Sequence, residues 1–432
     1  MFLMKFNQEM VVVGAARTPF GRFGGGMKTV DIYELGAMAM RSALKKGGVR
    51  PDQIDEVWWG EGDTSCCRDP YTPVVARQSL IRAGLPETTP SVTLDKACVS
   101  GMSSAFYGIG RILLGEAKMI LSGGATSFST VPYLARNLRF SGVKSGGIRL
   151  EDPLFPLEYK DFTPVAYDSG VVAVHYGVTR EMQDELSLDS HKKYGKAYAE
   201  GFYNDVMDPV ELEIRSGRKT ETVRVEIDEQ YRPNISMNDL TKLQPIYGSP
   251  TITAGNAPGL NDGSAAQIIT TRENAEALGL KPLYTIVDMV SVAAAHELLP
   301  VAPALAIKKI LVETGVKLED VDIIEINEAF AAVPLVSLKL LACKAFREDT
   351  YENCVKNIAD YPTDTFDQAY FDELVARLNV NGGAIAIGHA NTASGARIMI
   401  NAGMELRRRG GGLALCAICG GLTQGDGCLI RV

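Results

Sequence analysis

Asp95-Lys-Ala-Cys98-Val-Ser-Gly-Met-Ser-Ser104 is the stretch around which the chain is organised, with Ile120-Leu-Ser-Gly-Gly124 following one helix later. A short β-like run over residues 91–94 leads to Cys98, and Ser100-Gly101 then opens an amphipathic helix. A cysteine at such a junction lies over unpaired helix N–H groups and the positive end of the helix dipole. Both favour the thiolate, which is the nucleophilic form. Ser100, Gly101, Ser103 and Ser104 are small enough to let a substrate approach the backbone. A buried structural cysteine is the competing reading of this stretch on its own, so the rest of the chain has to decide.

With 432 residues the chain can bury a large core and divide into two or three domains. Its 46% hydrophobic and 22% charged content is that of a globular enzyme. A net charge of −8 with no basic block argues against nucleic-acid binding. No apolar run has the length of a membrane span and no signal-peptide pattern opens the chain, which points to the cytoplasm and away from membranes. Eight cysteines in so long a chain do not form a disulfide framework, and adjacent Cys66 and Cys67 cannot bridge without strain. Cys416-Ala-Ile-Cys419 has redox or zinc spacing, but no second pair or nearby histidines complete a metal set. The strand-like surroundings of that motif also place its two sulfurs on opposite faces. No metal site is expected.

Strand–helix–strand grammar occurs twice. Residues 10–15 read as a strand, 33–46 as a helix stopped by Gly48, and 55–59 as the next strand. Downstream, 304–314 read as a helix stopped by Gly315, with a strand over 321–326. Gly48-Val-Arg-Pro-Asp-Gln-Ile-Asp55 aligns with Gly315-Val-Lys-Leu-Glu-Asp-Val-Asp322 at an offset of 267 residues. Ser100-Gly101, whose helix runs into Gly123-Gly124, has a counterpart in Ser394-Gly395, whose helix runs into Gly420-Gly421. Two matched pairs in one order indicate two similar α/β halves. The boundaries expected are 8–126 for the first half, continuing over 250–280, and 281–432 for the second. Residues 127–249 form an insertion of the kind that carries substrate-gating loops. Residues 345–377 read as a charged, aromatic, irregular piece: a lid, a partner-binding arm or a decorated surface loop.

Three further stretches place small and polar residues at strand ends, where open α/β sheets build their sites. They are Asn327-Glu-Ala-Phe, Asn379-Val-Asn-Gly-Gly-Ala-Ile-Ala-Ile-Gly-His389, and Cys419-Gly-Gly-Leu-Thr-Gln-Gly425. Of the four histidines, His175, His191 and His296 sit in surroundings that suit structural or exposed roles. His389 alone follows a glycine turn and precedes a Ser-Gly helix start. A cysteine and a histidine are the minimum for an activated thiol.

Together these motifs, with Ala15-Ala-Arg-Thr-Pro-Phe-Gly21 and Thr253-Ala-Gly-Asn-Ala-Pro-Gly-Leu-Asn-Asp-Gly-Ser-Ala-Ala266, resemble the thiolase family along nearly the whole chain. The resemblance implies the five-layered α-β-α-β-α fold, made of two similar halves with a loop domain inserted in the first. It implies acyl transfer between CoA thioesters, with acyl-CoA and CoA as substrates and no permanently bound cofactor. By position it implies that Cys98 carries the acyl group and His389 takes the thiol proton. Cys419 would be the second acid/base, and Asn327 would hold a water that stabilises the enolate oxygen with His389. The N–H groups of Cys98 and Gly421 would form a second oxyanion site. It further implies a homodimer, or a tetramer of dimers.

Departures accompany the match. His389-Ala-Asn-Thr replaces the family's usual His-Pro continuation near the acyl pocket, pointing to a branched, dicarboxylic or aromatic acyl group. Pro258, beside Ala257, stands where the family commonly has serine against the pantetheine arm. Arg218, with Arg215 and Lys219, is a candidate for the CoA phosphates. Two other readings stay open. One is a ketoacyl synthase-like condensing enzyme, which Cys419 and the Asn327 motif disfavour. The other is a non-catalytic acyl-CoA-binding or scaffolding subunit, in a complex that includes a small OB-fold partner.

Overall fold

A computed structural model describes residues 6–62, 73–143, 145–154, 159–216 and 219–432. The first half runs β1 (Met10–Arg17), α1 (Ile32–Gly47), β2 (Glu56–Gly60), α2 (Val75–Arg82), β3 (Ser91–Leu94), α3 (Ser100–Leu113) and β4 (Met119–Thr126). Next come α4 (Val165–His175), α5 (Arg180–Ala199) and a hairpin of β5 (Val210–Ser216) and β6 (Lys219–Val225). β7 (Asn261–Thr271) then returns to the first half. The second half runs β8 (Tyr284–Ala293), α6 (Ala302–Thr314), β9 (Ile323–Ile326), α7 (Ala332–Ala342), α8 (Lys344–Glu348), α9 (Tyr351–Asn357), α10 (Gln368–Arg377), α11 (Ser394–Arg409), β10 (Leu413–Gly420) and β11 (Gln424–Arg431).

The two halves share one topology. In the first, β2 lies parallel to β4, which is antiparallel to β7, which is antiparallel to β1. In the second, β9 lies parallel to β10, which is antiparallel to β11, which is antiparallel to β8. Met10–Val12 of β1 pair with Tyr284–Ile286 of β8, so the two sheets meet edge to edge. Local chemistry repeats as well. α1 and α6 both end on a left-handed glycine, Gly48 at φ 63° and Gly315 at φ 70°. Each donates its N–H back into the last turn, and glycine takes that conformation without a Cβ penalty. A 3-10 turn follows in each case, then the next strand.

Alternation along the strands separates the layers. On β1, Val11 and Val13 face the cluster under α1, while Met10 and Val12 face the cluster between the halves. On β10, Ala414, Cys416 and Ile418 face that central cluster, and Leu415, Ala417 and Cys419 face the outer one under α6 and α7. The sulfurs of Cys416 and Cys419 therefore lie on opposite faces of one strand. α3 and α11 fill the central layer and pack on each other. Their crossing is tight: a Cβ built on Gly101 would stand 2.3 Å from Thr392 O, and one on Gly395 2.6 Å from Met102 N.

The segment read from sequence as an irregular lid, arm or loop over 345–377 is instead helical, with α9 and α10 as its main elements and α8 just before them. Phe346, Cys354, Tyr361, Phe371 and Leu374 are buried in the outer cluster, and the Thr350 and Asp367 side chains cap α9 and α10. It is part of the second half's outer layer. Cys66, Cys67, Arg218 and the side chains of Arg215 and Lys219 lie outside the described residues.

The residues between β4 and β7 are fixed to the first half by a buried ion pair. Both Arg17 terminal nitrogens lie 2.7 Å from the Asp228 carboxylate oxygens, which also accept from Phe20 N. The Arg17 guanidinium lies against the Phe20 and Tyr203 rings. α5 reaches further, and its Ser190 joins the loops of the second half described next.

Candidate active site

Cys98 sits in a 3-10 turn (Ala97–Val99) between β3 and α3. Ala97 before it is held at φ 50°, a conformation costly for a residue with a side chain. The turn is fastened on both sides. Ala97 N donates to Asp95 Oδ1 at 3.0 Å, and Lys96 Nζ donates to Ser291 Oγ and Asp426 Oδ1 of the second half, each at 2.6 Å. Ser103 on α3 bonds the other oxygen of Asp426. The turn that carries Cys98 is thus anchored to the opposite sheet.

His389 arrives from the second half on the loop before α11. Gly388 has φ 108°, and a Cβ there would strike the Asn261 side chain at 2.6 Å. With glycine in place, His389 N donates to Asn261 Oδ1 at 2.9 Å. The ring is aimed at Cys98: Nε2 lies 3.2 Å from Sγ, and Nδ1 lies 2.7 Å from Ser394 Oγ. Burial, reinforced by the nearby Arg397 cation, pushes His389 down to about 3, so the imidazole rests neutral. A neutral ring at that distance is positioned to take the thiol proton.

Asn327 follows β9 and is fully buried, its N–H bonded to Ala417 O of β10 at 3.1 Å. Its Oδ1 accepts from Arg397 Nη2 at 2.8 Å, and its Nδ2 is buried without a partner among the described residues. Neighbouring Glu328, raised by burial, accepts from Asn379 Nδ2, Ser190 Oγ and Ile385 N. One buried carboxyl thereby joins the Asn327 loop, the His389 loop and α5. Cys419 ends β10 and is buried, which pushes its thiol up to about 12 and keeps it protonated.

The turn after Cys419 faces the turn of Cys98. A Cβ on Gly420 would stand 3.1 Å from Lys96 O and 3.2 Å from Val99 N. One on Gly421 would stand 3.2 Å from the Ala97 methyl and 2.5 Å from the Tyr159 hydroxyl. Leu422 and Thr423 complete the three-residue connection between β10 and β11 at positive φ, 53° and 60°. Thr423 is fastened from outside by donating to His296 O at 2.8 Å.

Five sequence-marked residues (Cys98, His389, Asn327, Cys419 and Gly421) thus stand at the facing ends of the two sheets. The family models for the thiolase N-terminal domain and the thiolase C-terminal domain match residues 10–273 and 280–432.

The chain belongs to the thiolase family.

It is 35% identical over 429 residues to a beta-ketoadipyl-CoA thiolase of Pseudomonas knackmussii, with 97% of this chain and 98% of the relative covered. The crystal structure of the Bacillus anthracis acetyl-CoA acetyltransferase superposes with a TM-score of 0.85 at 31% identity, covering 98% of both chains. Human mitochondrial 3-ketoacyl-CoA thiolase in complex with CoA superposes with a TM-score of 0.83 at 33% identity, again over 98% of both. As a thiolase this protein is an acyltransferase with the thiolase fold.

Two features of this thiolase escaped the sequence reading. A cavity of about 460 Å³ lies among Arg232, Pro233, Asn234, Ile235, Asp239, Leu240 and Leu243. Gly255 packs on Leu240 and Leu243, and Leu260 bridges His389, so one short segment runs from this cavity to the His389 loop. Pro258 lies partly exposed on that segment, whereas Ala257 is buried in the outer core and presents no side chain. Ser394 and Arg397, the partners of His389 and Asn327, are the other omission. An arginine on a polar-looking helix gives no local sign of burial. Among the described residues no helix is long and apolar enough to cross a membrane, and no cluster of His, Cys, Asp and Glu is arranged to hold a metal.

Proposed function

We propose that this thiolase moves an acyl group between CoA thioesters through a covalent thioester on Cys98. The observation that carries this reading is the Cys98–His389–Ser394 line, 3.2 Å and then 2.7 Å, with a neutral imidazole at its centre. In the cleavage direction, Cys98 Sγ attacks the 3-oxo carbonyl carbon as its proton passes to His389. The bond between C2 and C3 breaks, and the departing enolate carbon takes the Cys419 proton. A protonated Cys419 suits that donor step. The thiol of a second CoA then attacks the acyl-Cys98 thioester and gives its proton to the Cys419 thiolate, and His389 returns its proton to Cys98. Condensation is the same sequence reversed.

Two sites for developing negative charge are part of the reading. Asn327 Nδ2, buried and unpartnered, holds a water that shares the enolate oxygen with His389. The N–H groups of Cys98 and Gly421, on turns that face each other, hold the oxygen of the tetrahedral intermediate. For CoA, the Arg232 cavity takes the nucleotide end, and residues 253–261 guide the pantetheine arm past Pro258 to Cys98. Gly255 to Leu260 can span at most ~17 Å, which suits an extended arm.

The acyl group belongs to this proposal. The Ala390-Asn-Thr continuation of the histidine loop and Tyr159 over Gly421 support a substrate other than a plain short chain. The dicarboxylic acyl group named for the Pseudomonas relative is one candidate. A homodimer or tetramer is proposed on the exposed edge of β3, whose far side pairs with no strand among the described residues. A cytoplasmic setting is supported by the six described cysteines, none of which forms a disulfide among the described residues. The test is CoA-dependent cleavage of a panel of straight, branched, dicarboxylic and aromatic 3-oxoacyl-CoAs. At least one member should give turnover with release of acetyl-CoA, and cleavage of none would overturn the proposal.

A further inference from the structure

The first turn of α11 supports both groups that face the enolate oxygen in the proposed reaction. Ser394 bonds His389 Nδ1, and Arg397, one turn on, bonds Asn327 Oδ1 at 2.8 Å. Arg397 is fully buried, and so are Asn327 and Glu325. The Arg397 environment does not resemble a simple ion pair. Its Nη1 lies 3.6 Å from Glu325 Oε2, beyond hydrogen-bond length, and both of those atoms and Nε lack hydrogen-bond partners among the described residues. The strongest directed contact that Arg397 makes is with Asn327.

A guanidinium carries only donors. Asn327 must therefore present its amide oxygen to Arg397, which leaves Nδ2 as the only amide edge available to a ligand. Without that donor the amide can turn over and place an oxygen, a repulsive partner, where negative charge develops. We propose that Arg397 is a positioning residue of the reaction, fixing the Asn327 amide with Nδ2 turned to the enolate oxygen. It acts through Asn327 and touches no substrate. Its charge also disfavours a second cation at His389, in line with the neutral state of that ring.

This inference rests on the proposed role of Asn327, so its test separates the two. The variants are Arg397→Met, Arg397→Lys, Asn327→Ala and the double variant Arg397→Met/Asn327→Ala in the full chain. Two rates are read for each: acetylation of Cys98 by acetyl-CoA, followed by intact mass, and exchange of the acetyl-CoA methyl protons in deuterium oxide. Acetylation uses the other oxyanion site, while exchange requires the enolate. Arg397→Met should acetylate within about threefold of the parent and lose about 10²-fold in exchange, the effect of losing one preorganised donor. Asn327→Ala should lose as much, and the double variant no more than either, because the residues act as one unit. The acid limb of the exchange rate should also rise towards the ordinary histidine range in Arg397→Met and stay low in Arg397→Lys, which keeps the charge.

Equal loss of both rates in Arg397→Met, or multiplicative losses in the double variant, would overturn the inference. Should Arg397→Met not fold, a fifth variant, Arg397→Gln, carries the test, because a neutral carboxamide can accept as well as donate and so no longer dictates which edge Asn327 presents. It should then lose exchange selectively, and normal exchange would refute the positioning role. Normal exchange in Asn327→Ala would sink the role of Asn327 itself. Impaired exchange there with normal exchange in Arg397→Met, or in Arg397→Gln should that variant replace it, would sink this inference alone.

Discussion

Replacing Gly101 by alanine tests how closely the catalytic distance depends on the helix crossing at the centre of the molecule. The new Cβ would stand 2.3 Å from Thr392 O and 3.2 Å from Ala396 N, both backbone atoms that no side-chain rotation can move aside. A carbon–oxygen contact needs ~3.3 Å, so α3 and the loop leading into α11 must separate by about 1 Å. α3 begins two residues after Cys98, and that loop carries His389 and leads directly into Ser394, the first residue of α11. The 3.2 Å from Nε2 to Sγ is therefore the distance that lengthens. Overpacking of this kind costs about 1–3 kcal/mol of stability, and a 1 Å misplacement of reacting groups costs about 10² in rate. The assay is turnover together with the rate of Cys98 alkylation by iodoacetamide and a thermal melt. Turnover and alkylation should both fall while most of the protein remains folded at 25 °C. Activity within threefold of the parent, with an unchanged melt, would refute the reasoning.

Other consequences follow from the same structure. Asp228→Ala leaves the Arg17 guanidinium buried and unpaired, which costs about 3–5 kcal/mol and should lower the melting temperature by roughly 3–6 °C in a chain of this length. In the proposed reaction neutral His389 is the working form, and its folded value lies below the unfolded one. The acid limb of kcat/KM should therefore fall well below pH 6, while the stability this histidine supplies is full above about pH 6.5 and is lost as pH drops towards 3. Kinetics and melts between pH 4 and 8 check both signs, and an acid limb near 6.5 would contradict them. Arg232→Ala should raise KM for acyl-CoA about 10-fold or more, the loss of a charge-assisted hydrogen bond, with kcat little changed. Equal KM values would remove the cavity from the CoA path.

The fold was legible where local rules and tertiary structure agree. The two glycine stops at Gly48 and Gly315, each followed by a strand, gave the duplication, and the shared strand order bears out the two similar halves. The site was legible because its residues cluster in short runs of small and polar side chains at strand ends. What stayed hidden lacked a local signature. The buried residues of 345–377 are spread over several short helices, so no single period emerges, and the charges between them look like surface. Arg397 carries the mark of an exposed helix residue, and only the meeting of β9 with α11 buries it. The cavity beside Arg232 is lined by a single stretch, residues 232–243, that carries no recognisable motif.

The central claim is that Cys98 carries the acyl group, and one measurement addresses it most directly. Intact-protein mass spectrometry after incubation with acetyl-CoA, or with the best substrate of the acyl panel, should detect one acyl adduct on the parent chain. The adduct should be absent in Cys98→Ser and still present in Cys419→Ser, which acylates but no longer turns over. An adduct that persists in Cys98→Ser would contradict the account.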